Sequence, residues 1–333
     1  MKNKRYDVIT VGGLTADISF FAEEGRVIDN KQDLLCQKLL AFEAGAKVPI
    51  SGFSEFFGGG AANTAVNLAY SGLKCACLAT VGSDSYGRMI LENLKDKKVS
   101  LEMVEKKTSK QSGVSFIVIG PGGERTIFSY RGANDSLSVS PANQKALALS
   151  EWLYITPLSH NWKSVLPKVF VTPGVRIAWN PGLSQCQAGA EALSRYLRRT
   201  DLFALNRDEA LELLVNTKKY KDQPRNFWSS TDNILKAIFN FGPRIVLLTD
   251  GPSGAYAYEG DKVHFQPSLR EKKRVDATGM GDRFNSSVLA GLIITGGDLK
   301  ESLRMAARSA AEKIAHLGAQ SGLIDLRKIT KKK

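Results

Sequence analysis

The residues most able to do chemistry lie in one run near the end of the chain, Asp276-Ala277-Thr278-Gly279-Met280-Gly281-Asp282-Arg283-Phe284. Two glycines flank Met280, and a helical pattern begins at once. Glycine lets a backbone turn tightly and approach a ligand without a Cβ in the way. The first N–H groups of a helix have no intrahelical partner and sit at the positive end of its dipole. Such a turn can cradle a phosphoryl oxygen. A carboxylate in the first turn, Asp282, can then take a proton from an attacking hydroxyl while the amides hold the incoming charge. Taken alone the run also reads as an ordinary helix start, with Thr278 or Asp282 as cap.

Other positions share this double reading. Gly58-Gly59-Gly60-Ala61-Ala62-Asn63 again places glycines before a helix, with an amide in the first turn. Gly12 to Asp17 follows the first strand and puts Asp17 near its carboxyl end, where open α/β sheets bind ligands. Asn206 and Glu209, spaced i, i+3 behind an apolar run, face the same way; they form a capping box or a polar site. Thr249-Asp250-Gly251-Pro252-Ser253-Gly254 is either a plain β-turn or a source of phosphate donors. No GxxxxGK[ST] pattern occurs, and no HRD or DFG set.

The elements that must position these residues alternate strand, glycine-rich turn and helix. Strands are expected at Tyr6–Gly12, Lys74–Val81, Trp152–Ile155, Arg176–Trp179, Leu202–Leu205 and Arg244–Leu248. Helices are expected at Ala61–Tyr70, Tyr86–Lys97, Glu191–Arg199, Arg207–Val215, Ile234–Phe239, Gly281–Thr295 and Asp298–Leu317. This grammar predicts an α/β fold with a Rossmann-like, doubly wound, mostly parallel central sheet and helices on both faces. Two stretches break it: Ala46–Phe57 lacks helical periodicity, and Ser112–Tyr130 reads as a hairpin turning at Gly120-Pro121-Gly122-Gly123. The expectation is one domain over residues 1–330. A β lid from about 14–20, 45–57 and 111–130 is inserted in it, and 331–333 form a basic tail. Asn216–Trp228 reads as a surface loop.

The 333 residues carry a net charge of +13 and are 43% hydrophobic, enough for a sizeable core. The basic residues are dispersed apart from Lys272-Lys273-Arg274 and the tail, without an aromatic-studded stripe, so nucleic acid is not the expected partner. No apolar run is long enough to span a membrane, and no signal peptide is read at the N-terminus, which points to a cytoplasmic protein. Cys36, Cys75, Cys77 and Cys186 are too scattered for a zinc site and read as reduced thiols, with Cys75 and Cys77 on one face of a strand.

In order along nearly the whole chain, these segments resemble the ribokinase-like carbohydrate kinase family, also called the phosphofructokinase B (PfkB) family. Gly58–Asn63 is similar to its N-terminal glycine signature, Val81–Gly87 to its vGxDxxG segment and Arg131-Gly132-Ala133-Asn134 to its GAN segment. Asn206 with Glu209 matches NxxE, Asp276–Asp282 matches D[TA]TGAGD, and Gly318-Ala319-Gln320 resembles a late segment near the nucleotide pocket. The resemblance implies an ATP-dependent kinase that moves the γ-phosphoryl group to a hydroxyl of a sugar-like molecule, with Mg²⁺ as metal and a lid that often dimerises. It implies Asp282 as catalytic base and the amides of Gly279, Met280 and Gly281 as anion hole. Asp17, Gly59 and Asn63 would hold the acceptor. Asn206, Thr249, Gly251 and Gly254 would line the ATP site, with Glu209 organising Mg²⁺ through water. Asp276 and Thr278 are candidates for the monovalent-cation (K⁺) site that some members have. Nucleoside acceptors, for which Phe53, Phe56 and Phe57 offer an aromatic slot, and a sugar-sensing homologue without the reaction are the alternatives. Where a small residue normally follows the base this chain has Arg283, expected either on phosphate or acceptor or, preferably, turned to a surface carboxylate. Gly60 stands where ribokinase itself has lysine, and Ile155–Leu158 lacks its glutamate.

Overall fold

A computed structural model describes residues 4–30, 38–120, 125–270 and 274–329. The expected tail 331–333, the hairpin turn at 121–123, Lys272-Lys273 and Cys36 lie outside the described residues. Among those described, nine strands form one sheet. Its order is Val104–Lys107, Cys75–Gly82, Tyr6–Val11, Ser150–Ile155, Arg176–Trp179, Leu202–Asn206, Ile245–Thr249, Ala255–Tyr258 and Val263–Gln266. All neighbours pair in parallel as far as Ile245–Thr249, and the last two strands are antiparallel.

Parallel strands covered on both faces must be apolar throughout, and Cys75–Gly82 is buried at every position. Alternation divides the core in two. Ile9, Val11, Leu153, Ile155, Phe203 and Leu205 belong to one apolar cluster. Val8, Cys75, Cys77, Trp152, Tyr154 and Ala204 belong to the other. The two cysteines therefore do share a face, as expected, and burial pushes the Cys77 thiol up to about 12. The chain runs from Tyr6–Val11 both to Cys75–Gly82 and, later, to Ser150–Ile155 on its opposite side. That reversal of winding opens a crevice at the carboxyl ends of the strands.

A second sheet stands apart, in the order Ile50–Gly58, Thr15–Ala22, Gly113–Ile119, Arg125–Tyr130. Asp84 anchors its root. One carboxylate caps the helix Ser85–Asp96 by accepting from Gly87 N at 2.7 Å, and also accepts from Ser112 N and Oγ, each at 2.7 Å. Burial pushes this carboxyl up, but those hydrogen bonds outweigh it and hold it below its usual value. Asn134 clamps the other root, accepting from Leu14 N at 3.0 Å and donating to Leu14 O at 2.9 Å.

Some expectations are corrected. The segment 216–228 is not a surface loop throughout: Tyr220 is buried and stacks on Phe227, whose short helix Arg225–Ser229 packs on the core. The last long helix runs Leu299–Lys313 and stops four residues before the expected Leu317. The antiparallel edge pair and the small ribbon Arg26–Asp29 with Lys38–Ala41 were not foreseen. No helix among the described residues is long and apolar enough to cross a membrane.

Replacing Asp84 by Ala removes a helix cap and leaves Ser112 underbonded, so equilibrium unfolding is expected to show a loss of about 2–3 kcal/mol. Asp84→Asn, which can still cap, is expected to recover part of it.

Candidate active site

The helix Met280–Ile294 opens onto the crevice. Its N-cap, Gly279, adopts the left-handed conformation at φ 71°, and no side chain caps the end. A Cβ on Gly279 would lie 2.7 Å from Ala319 Cβ, whereas one on Gly281 would meet nothing within 4 Å. The helix mouth is thus packed on one side and open on the other. Of the three amides expected in an anion hole, that of Met280 makes a long 3.3 Å bond to Ala277 O.

Asp282, in the first turn, accepts a 2.8 Å hydrogen bond on Oδ2 from the side-chain amide of Asn63. Asn63 is carried by the helix Gly60–Tyr70, which is fixed against the 280 helix by Asn67, whose amide donates to Ser286 Oγ and Ser287 Oγ at 2.8 and 3.0 Å. The entry to that helix needs Gly59. Its φ is 90°, and a Cβ there would lie 2.4 Å from Gly13 O. The same packing brings Asp17 to the site: it is 7% exposed and accepts from Thr15 Oγ1 at 2.9 Å. Burial raises the Asp17 carboxyl above its ordinary value. Burial also raises Asp282, the Asn63 bond opposes this, and the charge of Asp17 adds to it.

Asn206 and Glu209 form the capping box that their spacing allows: Asn206 Oδ1 accepts from Glu209 N at 2.8 Å, and Glu209 Oε2 accepts from Asn206 N at 3.0 Å. The cap does not exclude a second role. Burial pushes Glu209 up to about 7 against the bonds from Asn206 and Asn180, with help from the charge of Asp282. A carboxylate so placed gains from any cation nearby. Glu209 and Asp282 thus offer oxygen donors on either side of the crevice, the donor chemistry that suits a water-shelled Mg²⁺. Asn180, whose amide donates to Ala204 O at 2.9 Å, was missed in the sequence. Its place at the carboxyl end of a strand was the available signal.

Asn206, Thr249, Gly251 and Gly254 come together, with Met280 and Gly281, around a cavity of about 330 Å³. Its far wall is apolar and small-residued, from Ala307, Ala310, Ala311 and Ile314. A second cavity of about 350 Å³ lies between the small sheet and the loop before Gly279, lined by Phe21, Phe56, Ile117, Arg125, Asp276 and Thr278 among others. Of the phenylalanines expected in a slot, Phe56 lines this cavity, while Phe53 is 66% exposed.

Asp276 and Thr278 face each other. Asp276 Oδ1 accepts from Thr278 N at 2.8 Å and Thr278 Oγ1 at 2.7 Å, and Oδ2 from Gly318 N at 2.9 Å. Arg125 of the small sheet reaches both residues, at 3.4 and 3.2 Å. Arg283 overturns both of its readings. It is 2% exposed and turns into the protein, donating to Ser321 O at 2.7 Å and Gly322 O at 3.3 Å. It holds the turn that presents Gln320, whose amide donates to Asn63 Oδ1 at 3.2 Å while its Oε1 accepts from Asn93 at 2.8 Å.

A family described as "pfkB family carbohydrate kinase" matches residues 27–326. The ATP-dependent 6-phosphofructokinase of Thermoanaerobacterium thermosaccharolyticum is 25% identical over 97% of this chain and 92% of its own length. The ribokinase of Bacillus subtilis is 28% identical over 84% of this chain and 89% of its own. Among solved structures, the Methanocaldococcus jannaschii nucleoside kinase, an archaeal member of the ribokinase family, superposes with a TM-score of 0.76 at 21% identity, covering 98% of this chain and 97% of that one.

The raised Glu209 means that the folded protein keeps a proton which the unfolded chain, at 4.5, gives up. Its contribution is therefore neutral below the unfolded value and becomes a penalty as pH rises toward about 7. Without ligands, Glu209→Gln, which preserves the cap, is expected to gain about 1–2 kcal/mol at alkaline pH, allowing for partial exposure, and nothing at acid pH. Denaturant melts across that range check it; parallel profiles for parent and variant would remove Glu209 from this role.

Proposed function

The chain belongs to the pfkB family of carbohydrate kinases, ATP-dependent phosphotransferases acting on sugars or nucleosides, and from that premise we propose that Asp282 is its general base and the mouth of the 280 helix its anion hole. The carrying observation is the Asn63–Asp282 bond at the uncapped N-terminus. Because Asn63 occupies Oδ2, Oδ1 is left to accept the proton of an acceptor hydroxyl lying between Asp17 and Gly279. The hydroxyl oxygen bonds to the γ-phosphorus as the bond to the ADP oxygen breaks, and the proton ends on Asp282. Charge on the transferring group meets the first-turn amides, of which Gly281 has open space before it.

ATP fits the cavity lined by Asn206, Thr249, Gly251 and Gly254, its base toward the apolar wall of Ala307, Ala311 and Ile314. Mg²⁺, when bound, would neutralise phosphate charge, with Glu209 supporting it through water. Asp17 and Asn63 suit a polyhydroxylated acceptor, since each buried polar pair adds discrimination. A nucleoside acceptor is favoured by one observation: Phe21 and Phe56 wall the cavity beside the small sheet and offer a surface for a base.

A homodimer through the small sheet is also proposed. On the face turned away from the crevice, Phe53, Phe116, Phe128 and Tyr130 are 66%, 43%, 59% and 49% exposed. Phe116 pairs directly with Phe128, so the patch is continuous.

Assayed by ADP release over sugars, sugar phosphates and nucleosides with Mg²⁺-ATP, Asp282→Asn is expected to lower turnover by about two to four orders of magnitude while ATP binding persists. Near-normal turnover would exclude Asp282 as base. Light scattering is expected to give the mass of a dimer, which Phe128→Asp reduces to that of one chain.

A further inference from the structure

We propose that Lys313 is a built-in monovalent cation: its ammonium fills an oxygen nest beneath the loop that leads to Gly279, and the chain needs no K⁺ there. The inference rests on the reading of residues 276–282 as the phosphoryl-holding loop and says what charges that loop.

Lys313 is the last residue of the helix Leu299–Lys313 and is fully buried, at 0% exposure. Buried lysines are rare unless paired. Its ammonium has three N–H groups and three oxygen partners: Asp276 O at 2.8 Å, His316 O at 3.3 Å and Asp276 Oδ2 at 3.5 Å. Two carbonyls and a carboxylate converging on one point are the donor set that a desolvated monovalent metal ion selects. An ammonium keeps similar distances from oxygen.

The charges around it act in both directions. Asp276 carries the countercharge that favours the ammonium, while the like charges of Arg283, on the 280 helix, and Arg125, on the small sheet, oppose it. Burial lowers the Lys313 pKa and Asp276 opposes this. For Asp276, burial raises the carboxyl, but Thr278, Lys313 and Gly318 outweigh it and hold it below its usual value, ionised. The same Asp276 carboxylate binds Thr278 N and Gly318 N. The lysine therefore fixes, through one residue, both the strand of loop entering Gly279 and the turn carrying Ala319 and Gln320. It is a positioning residue, not a group that touches substrate.

The test compares the full chain and Lys313→Ala in potassium, sodium and tetramethylammonium chloride, reading ADP release and thermal midpoint. The parent is expected to be indifferent to the cation in both. Lys313→Ala, which empties the nest, is expected to lose about tenfold in turnover without K⁺, less than the loss of a direct donor. Potassium is expected to restore it and to raise its midpoint by about 2–4 °C. Lys313→Met, which fills the space without charge, is expected to be impaired and not rescued. A parent activated about tenfold by K⁺, or a folded Lys313→Ala indifferent to cations in both readouts, overturns the proposal. If Lys313→Ala does not fold, the parent's response to potassium decides alone. The thermal arm needs no turnover, so it separates failure of this inference from failure of the kinase reading.

Discussion

A hydrogen bond spans the crevice at its mouth: the amide of Asn63, on the first helix after the glycine run, to Asp282, on the helix Met280–Ile294. An amide can bind a carboxylate only with its nitrogen side, so the bond has meaning only if Asn63 is held in one orientation. Gln320 does this by donating to the Asn63 oxygen, and Asn93 in turn orients Gln320. Three amides act in series, each giving through nitrogen, and Gln320 and Asn63 also receive through oxygen, which fixes the orientation of both. Arg283 then matters without approaching the reaction, because it fastens the turn that carries Gln320.

The same crevice concentrates carboxylates. Asp17, Asp282 and Glu209 are each raised by burial, and a neighbouring carboxylate adds to the effect on each: Asp276 on Asp17, Asp17 on Asp282, and Asp282 on Glu209. Fixed carboxylates that resist ionisation are poised to exchange protons for a cation or for hydroxyl donors. Behind the loop the order is reversed: Lys313 and Arg283 are buried cations satisfied mainly by backbone carbonyls. Negative side chains line the crevice, and positive ones stand behind the helix mouth.

Much of this was legible because glycines and capping residues report backbone demands that are local. The uncapped start at Gly279, the left-handed entry at Gly59 and the i, i+3 box at Asn206 all follow from short-range geometry, and the strand–turn–helix grammar followed from apolar runs. For Asn206 and Glu209 the two sequence readings were compatible: the cap is what places the carboxylate in the crevice. The failures were long-range. Nothing near Arg283 announces that a charged side chain will be satisfied by carbonyls 38 and 39 residues away. The burial of Lys313 depends likewise on a loop 37 residues earlier. The antiparallel edge was a different miss, since Ala255-Tyr256-Ala257-Tyr258 alternates with both alanines buried, a period-two signal that was present and passed over.

The vacant space beside Gly281 has a bearing on how such a chain could drift. Most residues here are policed by packing, so an ill-suited replacement betrays itself by misfolding and clearance. At this position the helix would accept a larger side chain with no neighbour to object, and the protein would fold and persist while its mouth was plugged. On the proposed reading of this mouth, silent inactivation is open to it at a site that quality control does not inspect, and selection on the reaction would be what keeps that atom count at zero.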